Sequence, residues 1–381
     1  MIEDDVYRAS SQYRYWSYTK ESLARIREET NKLASQRVRA AFRRVHVANG
    51  SSENGDNHND DTRADHVEIE TLTVAEELKI VEWGCSKIMD MGEAMNPRIP
   101  SHVVATAIQY LRRFYLTNSP MTYHPKQIMM CALYLATKAD HFYISLSRFV
   151  AELNNVSEDD VKAPEFLLLQ GLRFTLDVRH PMKGLQGGHV EMNVLAEEGR
   201  LGSSITKASG SEKRVGVAAD KAKKLLATAA QMTDAYFLFT PSQIWLAAVM
   251  IADRELVEAY ISAKLDALPL LANGPEATAE HFKQKLTATI ASCATLLESY
   301  RSSDDDAAQR KEMRRIGKKL TVCQNPEKMD IVAVARAKAA AKREGAEGTD
   351  AEKALKKRKL ERERLERDGD VFGPELRDIK G

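Results

Sequence analysis

Apolar residues recur at helical spacing along most of the 381-residue chain, and no stretch shows the strict alternation of a half-buried strand. The first long pattern spans residues 18–46, where Leu23, Ile26, Leu33, Val38 and Phe42 lie among many arginines; it predicts a basic amphipathic helix. From Val74 onward, Leu78, Ile80, Val81, Cys85 and Ile88 give one approximate face. Ser101 is placed to cap the next helix, because its hydroxyl can accept a first-turn N–H. In that helix Val104, Ile108, Leu111 and Tyr115 recur at i, i+4, i+7 and i+11. Pro125 opens a third helix, at a position where its missing N–H costs little. The run QIMMCALYLATKA that follows is apolar nearly all round up to Thr137, which marks a helix surrounded by others. Ser145 starts a fourth helix with Leu146, Phe149, Val150 and Leu153. Ser157 and Asp160 have the spacing of a capping box, and Pro164 begins or kinks a fifth helix through Leu168, Leu172 and Phe174.

Polar stretches punctuate this pattern. Residues 1–47 read as an N-terminal extension carrying the basic helix, and 48–70, rich in Asn, Asp, Gly and Ser, as a disordered insertion. The first helical set occupies 71–180. Many Gly and Ser in 181–212 suggest a linker, or an insertion within a second domain. A second helical set fills 213–302, its last helix carrying Leu286, Ile290, Cys293, Leu297 and Tyr300. Residues 303–381 are expected to form a charged C-terminal helix and tail.

The second set echoes the first. Tyr123-His124-Pro125-Lys126-Gln127-Ile128, then Ala132 and Ala136, is matched by Phe239-Thr240-Pro241-Ser242-Gln243-Ile244, then Ala248 and Ala252. Each Pro starts a helix, and each Ala pair lies on one face, where it allows close approach. The expected fold is therefore all-α, two tandem repeats of about five helices, each built around one buried central helix, with flanking N- and C-terminal helices.

Composition narrows the chemistry. The formal net charge of +1 gives no global field favouring nucleic acid or an acidic substrate. The longest apolar run, Ile244 to Ala252, falls far short of the roughly 20 residues that span a bilayer. The acidic, polar start MIEDDVYRASS does not have the form of a signal peptide. Of the four cysteines (Cys85, Cys131, Cys293 and Cys323) none forms a C-x-x-C pair, so buried thiols in a reducing compartment are expected rather than a zinc site or a disulfide framework. The nine histidines are scattered, and no nucleotide-binding glycine loop, H-E-x-x-H or G-x-S-x-G string occurs. No catalytic residue, metal or cofactor is called for.

Several ordered strings carry a resemblance. YLRRFYL (Tyr110 to Leu116), YHPKQIM (Tyr123 to Met129) and ALYLATKAD (Ala132 to Asp140) are similar to the first box of transcription-associated cyclins of the H type. TDAYFLFTPSQI (Thr233 to Ile244) is similar to their second box, and SSQYRYWSY (Ser10 to Tyr18) with LARIREETN (Leu23 to Asn31) to their N-terminal extension. The resemblance implies two cyclin boxes and a non-catalytic subunit that activates a cyclin-dependent kinase. It further implies partners: that kinase, a RING-finger assembly subunit and the transcription factor IIH core, in a nuclear complex. The substrates implied are the C-terminal repeats of RNA polymerase II and the activation loops of other kinases. Neither membrane nor direct nucleic-acid binding is expected.

The family's kinase-facing lysine falls on Lys138 and its glutamate on Glu165. A lysine only donates and a carboxylate only accepts, so the two together can satisfy exposed main chain of both polarities. Where cyclins commonly carry an acid three residues after the lysine, this chain has His141, and Pro164 directly precedes Glu165. Arg112 and Arg113 are expected to face outward and to join the kinase-binding set, while Phe114 and Tyr115 pack inward. Lys356, Lys357, Arg358 and Lys359 match a nuclear import signal. The Met-Arg-Ala-Ile-Leu docking patch of cell-cycle cyclins is missing from Val74 to Trp83. Two alternatives remain: a sibling transcription cyclin of the C, K or T type, and a promoter-binding factor related to general transcription factor IIB. The second would need the paired cysteines of a zinc ribbon.

Overall fold

Where the sequence expects a linker, the chain instead forms the helix Pro181–Glu197, and its glycines show why. A Cβ built on Gly184 would lie 2.6 Å from Cδ1 of Trp245, and one on Gly188 2.5 Å from its Cη2. These two glycines let the indole lie directly against the helix; they are packing residues, not hinge residues. Leu185, Met192 and Leu195 of the same helix are buried in the core. The expected linker or insertion at 181–212 is thus corrected: its first half is the opening helix of the second repeat.

The computed structural model describes residues 3–50, 69–202, 205, 211–267, 276–300 and 307–325. Among these, helices run in the order α1 Glu3–Ala9, α2 Ser11–Trp16, α3 Lys20–Gly50, α4 Val74–Ala94, α5 Ser101–Thr117, α6 Pro125–Ala139, α7 Leu146–Ala151, α8 Glu158–Lys162 and α9 Glu165–Gly171. After α10 (Pro181–Glu197) come α11 Ser211–Ala227, α12 Ala229–Met232, α13 Ala235–Leu238, α14 Pro241–Ala252, α15 Arg254–Asp266, α16 Glu276–Glu298 and α17 Ala307–Gln324. No strand occurs among the described residues. The segment 51–68, most of the expected insertion, lies outside them, although Ile69 at its end is buried.

The chain divides into two units. One comprises Met1–Ile26, Glu82–Tyr115 and Lys126–Ser302, and so holds most of both repeats. The expected central helices are present. On α6, Ile128, Cys131, Ala132, Leu133, Leu135, Ala136 and Thr137 are buried; on α14 every residue from Ile244 to Met250 is. Thr240 caps α14 in a reciprocal box with Gln243, and Pro241 takes the first helical position. Around α14 gather α10, α11, α15 and α16, in one apolar cluster that includes Ala222, Leu226, Tyr260, Ile290 and Leu297.

The other unit comprises Arg27–Val81, Leu116–Pro125 and Ser303–Gly381. Ala34, Val38 and Phe42 of α3 pack there with Ile69, Leu72 and Ile80, and with Ile316, Leu320 and Cys323 of α17. Leu33, expected on this apolar face, is instead 55 % exposed; Ala34 takes the inward place. Thr73 and Glu76 cap α4 reciprocally, with Thr73 N–H donating to Glu76 Oε2 over 2.9 Å. Lys319 and Arg315 of α17 donate to the same carboxylate over 2.9 and 2.6 Å. Desolvation would raise the Glu76 pKa, but these donors outweigh it and hold the group down to about 2.

Candidate functional site

Lys138 lies in the last turn of α6 and Glu165 is the first residue of α9, where a carboxylate favours the helix N-terminus. Pro164 is the N-cap of α9 rather than a kink within it, so the proline fixes where Glu165 begins the helix. The Lys138 ammonium donates to Glu165 Oε1, and both side chains retain solvent access. The ammonium also stands 5.0 Å from the centre of the Tyr134 ring, which in turn packs on the buried Phe149.

Aromatic surface flanks the pair. Phe166, next to Glu165, is 63 % exposed, and Phe174 is 62 % exposed, with ring centroids 6.1 Å apart. Two rings left in water beside an ion pair form the kind of patch that anchors partners. The presentation of Phe174 has a local cause. Arg173 and Phe174 both take left-handed backbone, φ 53 each, which closes α9 with the Phe174 N–H donating to Leu169 O over 2.9 Å. The guanidinium of Arg173 lies 5.2 Å from the Trp16 ring, which ties this turn to the N-terminal extension. Beyond α6, Tyr143 is 80 % exposed and its hydroxyl stands 2.9 Å from His141 Nδ1.

The expected outward placement of Arg112 and Arg113 is corrected. Arg112 is 8 % exposed and Arg113 2 %. Arg112 donates to Met232 O over 2.9 Å and to Asp234 Oδ1 over 2.7 Å, with its guanidinium 5.8 Å from the Phe237 ring. Arg113 donates to Asp177 O and to Gln12 Oε1, each over 3.1 Å, and lies 5.1 Å from the Trp16 ring. Desolvation pushes the Arg113 pKa down to about 10. Both arginines are internal struts, bonded to carbonyls and side chains of this chain, and neither faces outward. Phe114 and Tyr115 are buried, as expected. Lys356, Lys357, Arg358 and Lys359 lie outside the described residues.

Sequence reasoning missed the second half of the polar framework. Thr106 of α5, Asp140 after α6, His180 before α10 and Tyr236 of α13 meet in one half-buried cluster. The one available signal was His180 directly before Pro181 at a helix start. All four cysteines are buried, and desolvation pushes Cys85, Cys131 and Cys293 up to about 12 and Cys323 to about 11. No group of three or more metal-ligating side chains occurs among the described residues.

Tandem all-helical repeats, each built around a buried central helix, with an accessible Lys–Glu pair beside exposed aromatic rings, define the class of fold. The family comparisons give that class its name. Residues 82–177 match the N-terminal cyclin domain and 180–298 the C-terminal cyclin domain, so the chain belongs to the cyclin family. Cyclin CCL1 of Saccharomyces cerevisiae is 35 % identical over 263 residues, which are 69 % of this chain and 62 % of that protein. The chain thus spans less than two thirds of that relative. Among solved structures, the CAK complex of Chaetomium thermophilum bound to ATP-gamma-S contains a chain that matches with TM-score 0.69 at 30 % identity, over 92 % of this chain and 99 % of that one. A chain of yeast TFIIK (Kin28/Ccl1/Tfb3) matches with TM-score 0.52 at 28 % identity, over 76 % and 100 %.

Proposed function

We propose that this chain is the cyclin of a transcription factor IIH kinase module, a non-catalytic subunit that switches on a cyclin-dependent kinase by binding it. The observation that carries this reading is the Lys138–Glu165 pair, accessible at the ends of α6 and α9 and flanked by Phe166 and Phe174. The likeness to chains in the CAK and TFIIK complexes supports a kinase partner and a third subunit of the Tfb3 kind.

A protein kinase is active only when its Lys–Glu ion pair and metal-binding Asp are both in place, which depends on the position of its regulatory helix. A rigid face that binds only the inward position shifts the population toward it. Moving that equilibrium from mostly inactive to mostly active takes about 5.5 kcal/mol of differential binding. Two aromatic anchors and a hydrogen-bonding ion pair can supply energy of that size. This chain contributes rigidity and complementary shape; the reacting groups belong to the kinase. The complex is assigned to the nucleus, with RNA polymerase II C-terminal repeats and kinase activation loops as substrates and the transcription factor IIH core as docking partner.

The test is co-expression of the full chain with the kinase, followed by affinity capture. Wild type is expected to retain the kinase through gel filtration, whereas Glu165→Ala and Phe174→Ala, each with unchanged circular dichroism, lose it. Failure of wild type to hold any transcriptional kinase would overturn the reading.

A further inference from the structure

The half-buried polar groups between the two repeats have a single consistent hydrogen-bond direction. Thr106 Oγ1 lies 2.6 Å from Asp140 Oδ2 and 2.9 Å from His180 Nε2. A hydroxyl has one hydrogen; His102 O also lies within reach at 3.1 Å, but the charged carboxylate is nearer and can only accept, so Thr106 donates to Asp140. His180 Nε2 then carries the ring hydrogen and donates to Thr106, which leaves Nδ1 as an acceptor. The Tyr236 hydroxyl, 3.0 Å away, donates to that Nδ1. Gln231 Nε2 donates to the Tyr236 oxygen over 2.8 Å, and Gln109 Nε2 donates to Gln231 Oε1 over 3.0 Å. The chain of donors therefore runs from α5 through the start of the second repeat, back to α5, and ends on Asp140. Asp140 lies two residues beyond Lys138, in the turn that closes α6; its N–H donates to Ala136 O over 2.9 Å, and Phe142 N–H to Thr137 O over 2.9 Å.

We infer that His180 and Tyr236 are positioning residues: through Thr106 and Asp140, they let the second repeat fix the turn that carries Lys138. This deepens the proposed function and rests on it only for the part that concerns the kinase. The second repeat acts on the first through this relay, in which each donor polarises the next. Burial keeps the His180 ring neutral, its pKa pushed down to about 3, and nearby Arg113, His102 and Lys183 act in the same sense. The groups that face it are Thr106, Arg113 and His102 of α5, Asp140 after α6, Lys183 of α10 and Tyr236 of α13.

The first test needs no kinase. In the free full-length chain, amide hydrogen exchange is compared for wild type, Tyr236→Phe, Thr106→Val and Thr106→Ser. The relay predicts roughly threefold to tenfold faster exchange at Asp140 and Phe142 in Tyr236→Phe and Thr106→Val. Thr106→Ser, which keeps the hydroxyl, restores the wild-type rate. Exchange changed only around Tyr236, or equally changed in Thr106→Ser, overturns the inference, as does unfolding of both Tyr236→Phe and Thr106→Val. The second test is a double-mutant cycle on kinase activation. Tyr236→Phe is expected to lower activation roughly threefold in the wild-type background and to have almost no further effect in Lys138→Ala. Additive losses mean a general structural role and contradict the inference. A wild type that binds no kinase defeats the proposed function and leaves the exchange result to decide the relay.

Discussion

Asp140 and His180 share one hydroxyl, that of Thr106, which stands 2.6 Å from the carboxylate and 2.9 Å from the imidazole Nε2. One threonine thereby joins the end of the helix that bears Lys138 to the first residue of the second repeat.

The Lys138–Glu165 pair should matter to binding far more than to stability. A solvent-accessible ion pair contributes about 0–1 kcal/mol to a fold. Lys138→Ala is therefore expected to leave the melting temperature within a few degrees of wild type while weakening kinase affinity at least tenfold. Calorimetric titration against the kinase, paired with thermal melts, measures both.

Phe174 sits in left-handed backbone that costs an L-residue about 1–2 kcal/mol, and asparagine tolerates it better. Phe174→Asn is expected to stabilise the isolated chain by about 0.5–1 kcal/mol while weakening kinase capture. Urea denaturation checks the first effect and gel filtration with the kinase the second. Loss of both would mean that the ring packs for stability rather than for docking.

Removing Arg112 takes one charged donor from Asp234 and one from the Met232 carbonyl. Arg112→Ala should cost about 3 kcal/mol in urea melts. Arg112→Lys should recover only part of that, because an ammonium does not reproduce the guanidinium fork that spans both acceptors.

Glu76 gives a pH signature. Its folded pKa, about 2, lies below the ordinary 4.5, so its contribution is fully present above pH 4.5 and is lost as pH falls through 2. Full loss amounts to about 3 kcal/mol. Glu76→Gln should flatten the dependence of stability on pH between those limits, measured by denaturant melts at each pH.

Much of the fold was legible because its signals are local. Pro125 and Pro241 at helix starts, Ser145 and Ser157 as caps, and the all-round apolarity of α6 and α14 each follow from a few adjacent residues. What escaped depends on distant partners. Gly184 and Gly188 look like linker glycines until Trp245 is placed against them. Arg112 and Arg113 look like surface charges until Asp234 and Gln12 arrive from other elements. The site was half legible for the same reason: Lys138 and Glu165 came from ordered motifs, but Phe174 is presented by a left-handed turn that no spacing rule announces.

The most direct measurement is kinase activity itself. The full chain is titrated into the kinase, and phosphorylation of an RNA polymerase II repeat peptide is followed for wild type and for the folded double variant Lys138→Ala, Glu165→Ala. The account predicts saturable activation by wild type, and a half-maximal concentration at least tenfold higher for the variant, since losing the pair costs about 1.4 kcal/mol of binding or more. Equal activation by both proteins would contradict it, and would move the kinase-binding surface away from the ends of α6 and α9.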